Sequence, residues 1–124
     1  MAEVSNNEPI DMKELSEIMD NDNELAKECF TDFMNTSSEM LMKIKASIDA
    51  KDADSLDREA HKFKGTLRYV AALPAADRAY ELEIMGKQKD FEKVGSTYDA
   101  LVEECKRVKV YMSKYCEEGM GFKS

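Results

Sequence analysis

The stretch DSLDREAHKFKGTLRYVA, residues 54–71, carries an apolar side chain at every third or fourth position. These apolar positions are Leu56, Ala60, Phe63, Leu67 and Val70. Their spacing matches the 3.6-residue period of an α-helix and predicts a helix with one buried stripe over 54–71. At about 100° per residue, His61 then points roughly 140° away from the stripe. The segment therefore predicts an amphipathic helix that presents the only histidine of the chain to solvent.

Periodic apolar positions predict four further helices in the rest of the chain. Asp11 to Glu14 has the form of a capping box and opens a short first helix. The second helix is long, and its apolar stripe includes Leu25 and Cys29. Pro74 suits the first turn of the fourth helix, which the run from Gly86 to Asp90 is expected to end. The expected bounds of these helices are about 11–19, 23–50, 74–85 and 91–116.

The number and length of these helices predict an all-α fold. Four substantial helices joined by short links pack most simply as an antiparallel four-helix bundle, with the short first helix covering one end. The chain of 124 residues has the size of one domain. We expect the bundle to occupy residues 10–117, after a polar, disordered leader over 1–9. Residues 118–124, which include Gly119 and Gly121, are expected to form a flexible tail.

The composition excludes several classes of partner. No apolar run approaches the roughly 20 residues that cross a bilayer, and the N-terminal residues lack the pattern of a signal peptide. A formal net charge of −8 argues against a nucleic-acid backbone as partner and favours a partner with a locally basic rim. We therefore expect a cytoplasmic monomer that binds neither membranes nor nucleic acid.

The cysteine and histidine content gives little support to a metal centre. Cys29, Cys105 and Cys116 are widely spaced without a Cys-x-x-Cys pair, which predicts reduced thiols. One histidine cannot supply the paired Glu-x-x-His ligands of a di-iron bundle, and the residue three before it is Arg58. We predict no metal and no cofactor bound to this chain.

The run His61-Lys62-Phe63-Lys64-Gly65 resembles the signature of histidine-containing phosphotransfer (HPt) domains. In that signature a histidine is followed by a lysine three residues on and a glycine four residues on. The family pattern has a second glycine six residues after the first, where this chain has Ala71. By helix count and spacing the resemblance extends over about residues 10–115. It implies a helical bundle whose histidine accepts a phosphoryl group.

Three residues beside the histidine are candidates for the chemistry of such a site. His61 is the expected phosphoryl acceptor, because phosphoryl transfer depends mainly on an accessible nucleophile, positioning and electrostatics. Lys64 matches the signature lysine and is expected to be exposed and to face a phosphoryl oxygen. Arg68 lies on the same outward side and is a weaker candidate for that role. Gly65 is expected to give a partner clearance, since a glycine inside a helix costs about 1 kcal/mol relative to alanine.

Two residues have alternative interpretations that the sequence leaves open. Glu83 follows Leu82 on its helix as His61 follows Ala60, so its carboxylate could accept the N–H of one ring nitrogen and leave the other free. It could equally be a solvated acid on the surface. Tyr69 is expected either in a docking patch or, more simply, packed beneath the short first helix.

The resemblance implies a phosphorelay intermediate. His61 would receive a phosphoryl group from the aspartyl phosphate of one response-regulator receiver domain and pass it to another. Magnesium would belong to the receiver, and a hybrid histidine kinase would be a further partner. No glycine-rich phosphate-binding motif is present, which predicts a phosphoryl carrier rather than an enzyme. The alternatives are a bundle that docks a receiver or kinase without being phosphorylated and, more remotely, a helical metal or cofactor bundle.

Overall fold

The computed structural model describes residues 8–118 and contains five α-helices within them. Their bounds are α1 Met12–Ile18, α2 Asn23–Asp49, α3 Ala53–Tyr69, α4 Leu73–Gln88 and α5 Val94–Glu118. Residues 1–7 and 119–124, which hold most of the expected leader and tail, lie outside the described residues.

Aspartates begin the first three helices. Asp11, Asp22 and Asp52 each accept a hydrogen bond from a backbone N–H three residues on, at 3.1 Å in every case. Such N-caps satisfy a donor that the first helical turn leaves free. Helix α4 has no side-chain cap and begins instead with Pro74 in its first turn, as expected.

Helices α2 to α5 form the bundle, in which each helix packs on its neighbours and α5 returns to α2. Helix α1 covers one end, where the backbone N–H of Asp11 donates to the carbonyl of Ala71 at 2.9 Å and Leu15 and Met19 are buried. The all-α class and the four-helix bundle with an additional short N-terminal helix are thus confirmed.

The end of α3 differs from the expected one. The helix stops at Tyr69, and Ala71 lies in the buried turn to α4 with a φ of 56°. The left-handed region suits glycine and is unfavourable for other L-residues by about 1–2 kcal/mol. Ala71 occupies the position of the second glycine in the HPt signature, so the backbone gives a physical reason for a glycine there.

The expected break at Gly86 is wrong, because α4 continues through this residue to Gln88. Gly86 is buried against α3, and a Cβ added to it would lie 2.7 Å from the backbone nitrogen of Asp57 and 2.9 Å from the carbonyl oxygen of Ala53. The glycine therefore marks a close approach of two helices. This contact sets the distance between α3 and α4 along their line of contact, called the α3–α4 seam below.

The apolar stripes are confirmed on α3 and corrected in part on α2. All five residues of the stripe predicted over 54–71 are buried, although the last of them, Val70, lies just past the end of α3. On α2, Ala26 and Phe30 fill the core, whereas Leu25 and Cys29, one position earlier, are only half-buried. At its N-terminal end, the buried face of α2 is thus rotated by one residue relative to the predicted stripe.

Candidate functional site

His61 lies on the outward face of α3, where its side chain is 64% exposed. Its helix is fixed from beneath by Ala60 and Phe63, which are fully buried, and the Phe63 ring stacks on Phe33 of α2 with centroids 6.1 Å apart. The predicted outward position of the histidine is therefore what the structure shows. The buried residues on either side of His61 anchor the backbone that carries it.

Glu83 of α4 is the polar partner of His61. Its Oε2 lies 3.1 Å from Nδ1 of His61, and its side chain is only 6% exposed. The interpretation of Glu83 as a solvated surface acid is wrong, because the close α3–α4 seam buries the carboxylate. An ionised carboxylate can only accept hydrogen bonds, so Nδ1 carries the proton and donates it. This tautomer leaves the lone pair on Nε2.

Lys64 lies across the seam and contacts the other oxygen of Glu83. Its Nζ is 2.7 Å from Oε1 of Glu83 in a close ion pair, and it lies 5.0 Å from the ring centroid of Tyr80. The expectation of an exposed Lys64 is wrong, since its side chain is only 13% exposed. A long lysine side chain can bury its aliphatic stem while its ammonium reaches a polar partner, here the carboxylate of Glu83. His61, Glu83 and Lys64 thus form one contact cluster.

The charge of Glu83 depends on these partners. Burial raises the pKa of its carboxyl, but the ion pair with Lys64 and the hydrogen bond with His61 outweigh burial, and the net pKa lies below its ordinary value. Glu83 is therefore a carboxylate near neutral pH. It can hold the imidazole in one tautomer and stabilise positive charge on the ring.

Lys87 and Asp57 were not singled out from the sequence, yet they extend the cluster. Lys87 Nζ lies 3.3 Å from both carboxylate oxygens of Asp57 and 3.9 Å from Oε2 of Glu83. Lys87 is four residues after Glu83, and Asp57 is four residues before His61. Residues four apart share a helix face, and this spacing is the signal that could have found them.

Gly65 opens the surface one turn beyond His61. A Cβ added to it would meet no atom within 4 Å apart from its own helix and chain neighbours. It borders a groove of about 380 Å³ between α2 and α3, which Cys29 and Tyr69 also line. Tyr69 is 50% exposed there, so the expectation that it packs beneath α1 is wrong.

Arg68 is not part of the contact cluster. It is exposed, and within residues 8–118 no hydrogen bond or ion pair joins it to His61 or Glu83. It lies about 10 Å along the helix axis from His61 and lines a depression near Asp11 and Pro74. The geometry therefore separates Arg68 from the other candidates.

The exposed charges of α3 beyond Asp57 differ in sign from the net charge of the chain. From residue 58 to the end of α3, every exposed charged side chain is basic, namely Arg58, Lys62 and Arg68. The net charge of −8 had favoured a partner with a basic rim. These three basic side chains favour an acidic segment on a partner near His61, because a short-range contact depends on the charges nearest to it. The basic rim inferred from the net charge stays a prediction.

The described residues contain neither a ready-made metal site nor a membrane-spanning helix. Across residues 8–118, no group of three or more His, Cys, Asp or Glu residues is arranged to hold a metal ion. No helix in this range has the length and apolar character to span a bilayer.

Comparisons with known proteins address the family. The Hpt domain model matches residues 28–110, which include α3, α4 and the whole contact cluster. The structure of histidine-containing phosphotransfer protein B (HptB) from Pseudomonas aeruginosa PAO1 is similar with a TM-score of 0.84. The identity is 20%, and the match covers 90% of this chain and 97% of that chain. No curated protein matches the sequence. Because the family match spans more than half of the chain, the protein belongs to the Hpt domain family of histidine phosphotransfer proteins, which act in two-component phosphorelays.

Proposed function

We propose that this protein carries a phosphoryl group on Nε2 of His61 from the aspartate of one receiver domain to the aspartate of another. The observation that supports this most directly is the hydrogen bond of 3.1 Å between His61 and the buried Glu83. It occupies Nδ1 and leaves Nε2 as the nitrogen with an available lone pair. The other side of the ring is open to a partner, since the imidazole is exposed.

The transfer step needs no group beyond those of the two proteins. The lone pair on Nε2 attacks the phosphorus of the receiver's aspartyl phosphate, a new N–P bond forms, and the P–O bond to the aspartate breaks. The aspartate leaves as a carboxylate, and the ring gains a positive charge because Nδ1 keeps its proton. Glu83 lies on that side of the ring and stabilises the charge, as a carboxylate does for the imidazolium of a hydrolase triad.

The same arrangement makes the step reversible. A phosphoryl group on a cationic ring has a neutral imidazole as its leaving group, so a second aspartate can displace it. The carboxylate of Glu83 thus supports both loading and unloading of His61. Lys64, already held beside Glu83, contributes positive charge near the phosphoryl oxygens.

Access to the nucleophile supports a receiver domain as partner. Gly65 leaves open space one turn from His61, and from residue 58 to the end of α3 the exposed charged side chains are basic. A receiver active site carries several carboxylates and, we propose, the Mg²⁺ that the reaction uses. We further propose that the protein works as a monomeric phosphoryl carrier rather than as an enzyme. A hybrid histidine kinase is the proposed source of the first receiver domain.

The test uses phosphorylated receiver domains from the same organism. Radiolabelled phosphoryl should move to this protein as an acid-labile, base-stable species and should be absent from His61→Gln. Lys89→Gln is a matched control, because Lys89 is exposed on the turn after α4 and lies outside the cluster. Phosphorus NMR of protein phosphorylated without the radioactive label should assign the group to Nε2.

Other outcomes would contradict the proposal. Label that persists on His61→Gln would place the phosphoryl group elsewhere. Binding of a receiver without any transfer would favour the docking module instead. Assignment to Nδ1 would overturn the role given to Glu83.

A further inference from the structure

The buried carboxylate of Glu83 lies between two lysines. Lys64 approaches Oε1 at 2.7 Å, and Lys87 approaches Oε2 at 3.9 Å. Only Lys64 belongs to the HPt signature. Lys87 comes from a different helix and is present at the site because Gly86, its chain neighbour, brings α4 against α3.

Lys87 and His61 are close neighbours in space. Both the ammonium of Lys87 and Nδ1 of His61 lie beside the same oxygen, Oε2 of Glu83. Lys87 is also far less enclosed than Lys64, since its side chain is 52% exposed against 13%. Its long, partly exposed stem allows the ammonium to move to another anion nearby.

Asp57 holds Lys87 in the unmodified protein. Lys87 lies 3.3 Å from the oxygens of Asp57, closer than it is to Glu83. A phosphoryl group carries nearly two negative charges and three acceptor oxygens, which makes it a stronger ligand for an ammonium than one carboxylate. A phosphoryl group that arrives on His61 therefore competes with Asp57 for Lys87.

We propose that Lys87 is a second phosphoryl-facing cation, held in reserve by Asp57 and recruited when His61 is attacked or modified. This inference rests on the proposed function, in which His61 is the acceptor. Lys64 remains on the buried oxygen of Glu83, while Lys87 supplies the mobile charge on the solvent side. Removal of Lys87 should slow loading, and removal of the Asp57 charge should release Lys87 and favour loading.

The experiment loads His61 with potassium phosphoramidate, which needs no receiver. The N–P bond to Nε2 forms as the donor's own P–N bond breaks and ammonia leaves, and intact-mass spectrometry follows the modified fraction. Lys87→Ala should load about threefold to fivefold more slowly, which is the size expected of one partly exposed ion pair. Lys87→Arg should restore the rate, and the matched control Lys89→Ala should load like the parent.

The Asp57→Asn variant tests whether the charge of Asp57 holds Lys87 away from the phosphoryl group. It should load faster than the parent, and the gain should vanish in the double variant Asp57→Asn, Lys87→Ala. Thermal melts of all variants identify any loss of folding. Parent-like loading by Lys87→Ala, or equal slowing by Lys89→Ala, would overturn the role of Lys87.

The receiver experiment keeps the two proposals apart. If phosphoramidate loads His61 but no receiver does, the relay function fails while the loading rates still decide the role of Lys87. If receivers load all lysine variants equally and phosphoramidate does so too, the relay stands and Lys87 fails. A parent protein that neither phosphoramidate nor any receiver can load at His61 would overturn both.

Discussion

Gly86 on α4 lies against Asp57 on α3 so closely that an added Cβ would stand 2.7 Å from the Asp57 backbone nitrogen. The contact involves main chain on both sides, so neither partner can yield by rotating a side chain. It fixes the seam on which Glu83 meets His61. The distance between the two helices therefore determines the geometry of the site.

Gly86→Ala should destabilise the fold although alanine is the better helix former. The intrinsic preference favours alanine by about 1 kcal/mol. Overpacking against a backbone typically costs about 1–3 kcal/mol and should outweigh it. Transfer to His61 should slow as well, since Glu83 moves away with α4. Denaturant unfolding and a transfer assay measure the two effects.

Gly65→Ala is the matched control for that substitution. Open space surrounds the added methyl group, so the free energy of unfolding should rise by up to about 1 kcal/mol. A longer side chain in Gly65→Gln should preserve stability but slow transfer from a receiver, because it occupies the approach to His61. Unchanged transfer in Gly65→Gln would show that this glycine provides no clearance.

Glu83→Gln should slow transfer from a receiver by about tenfold or more. The amide has no negative charge to stabilise the cationic ring, and a tenfold effect corresponds to about 1.4 kcal/mol of lost stabilisation. Glu81→Gln is the matched control on the same helix, because Glu81 pairs with Arg78 and is much more exposed. Equal rates in the two variants would mean that the carboxylate of Glu83 has no part in transfer.

The stability of the parent should fall in acid partly through Glu83. The pKa of its carboxyl is lower in the folded protein than in the unfolded chain, despite burial, because of Lys64 and His61. The unfolded state therefore takes up protons first, and the stabilisation from Glu83 is present at neutral pH and lost as the pH falls below about 4. In unfolding experiments at pH 7 and pH 3, Glu83→Gln should lose less stability than Glu81→Gln. An equal loss would contradict this account.

Lys89→Gly should stabilise the fold by about 1 kcal/mol. Lys89 ends α4 with a φ of 56°, a left-handed conformation that glycine adopts without the strain of a Cβ. The matched control is Lys43→Gly, an exposed position inside α2 where glycine should destabilise by about 1 kcal/mol. Opposite shifts of the unfolding midpoint are expected, and shifts of the same sign would argue against the left-handed turn.

The sequence was sufficient where the signal was local. The stripe of α3 determines which way His61 points, and the aspartate caps mark where helices begin, since both depend on residues within a few positions. The partners of Glu83 depend on how two helices meet, which periodicity does not contain. Lys64 was therefore expected in solvent although it lies on a buried carboxylate.

Gly86 is a second case in which a contact between helices, absent from the local pattern, decides the structure. A glycine within a helical pattern marks either a break or a close approach, and both weaken the local helix signal equally. The neighbour on α3 decides between them. Ala71 is a similar case, because its positive φ follows from the α1 and α4 contacts around the turn rather than from its own preference.

The position of the contact cluster in the chain also bears on the order in which the helices fold. All its members lie between Asp57 and Lys87, on two helices joined by the short turn at residues 70–72. Closing so short a loop loses little chain entropy, and contacts local in sequence form quickly. We expect the α3–α4 hairpin to assemble early in folding, before α5 closes the ring against α2. During synthesis, His61 and Glu83 would thus already be paired while the last helix is still emerging from the ribosome.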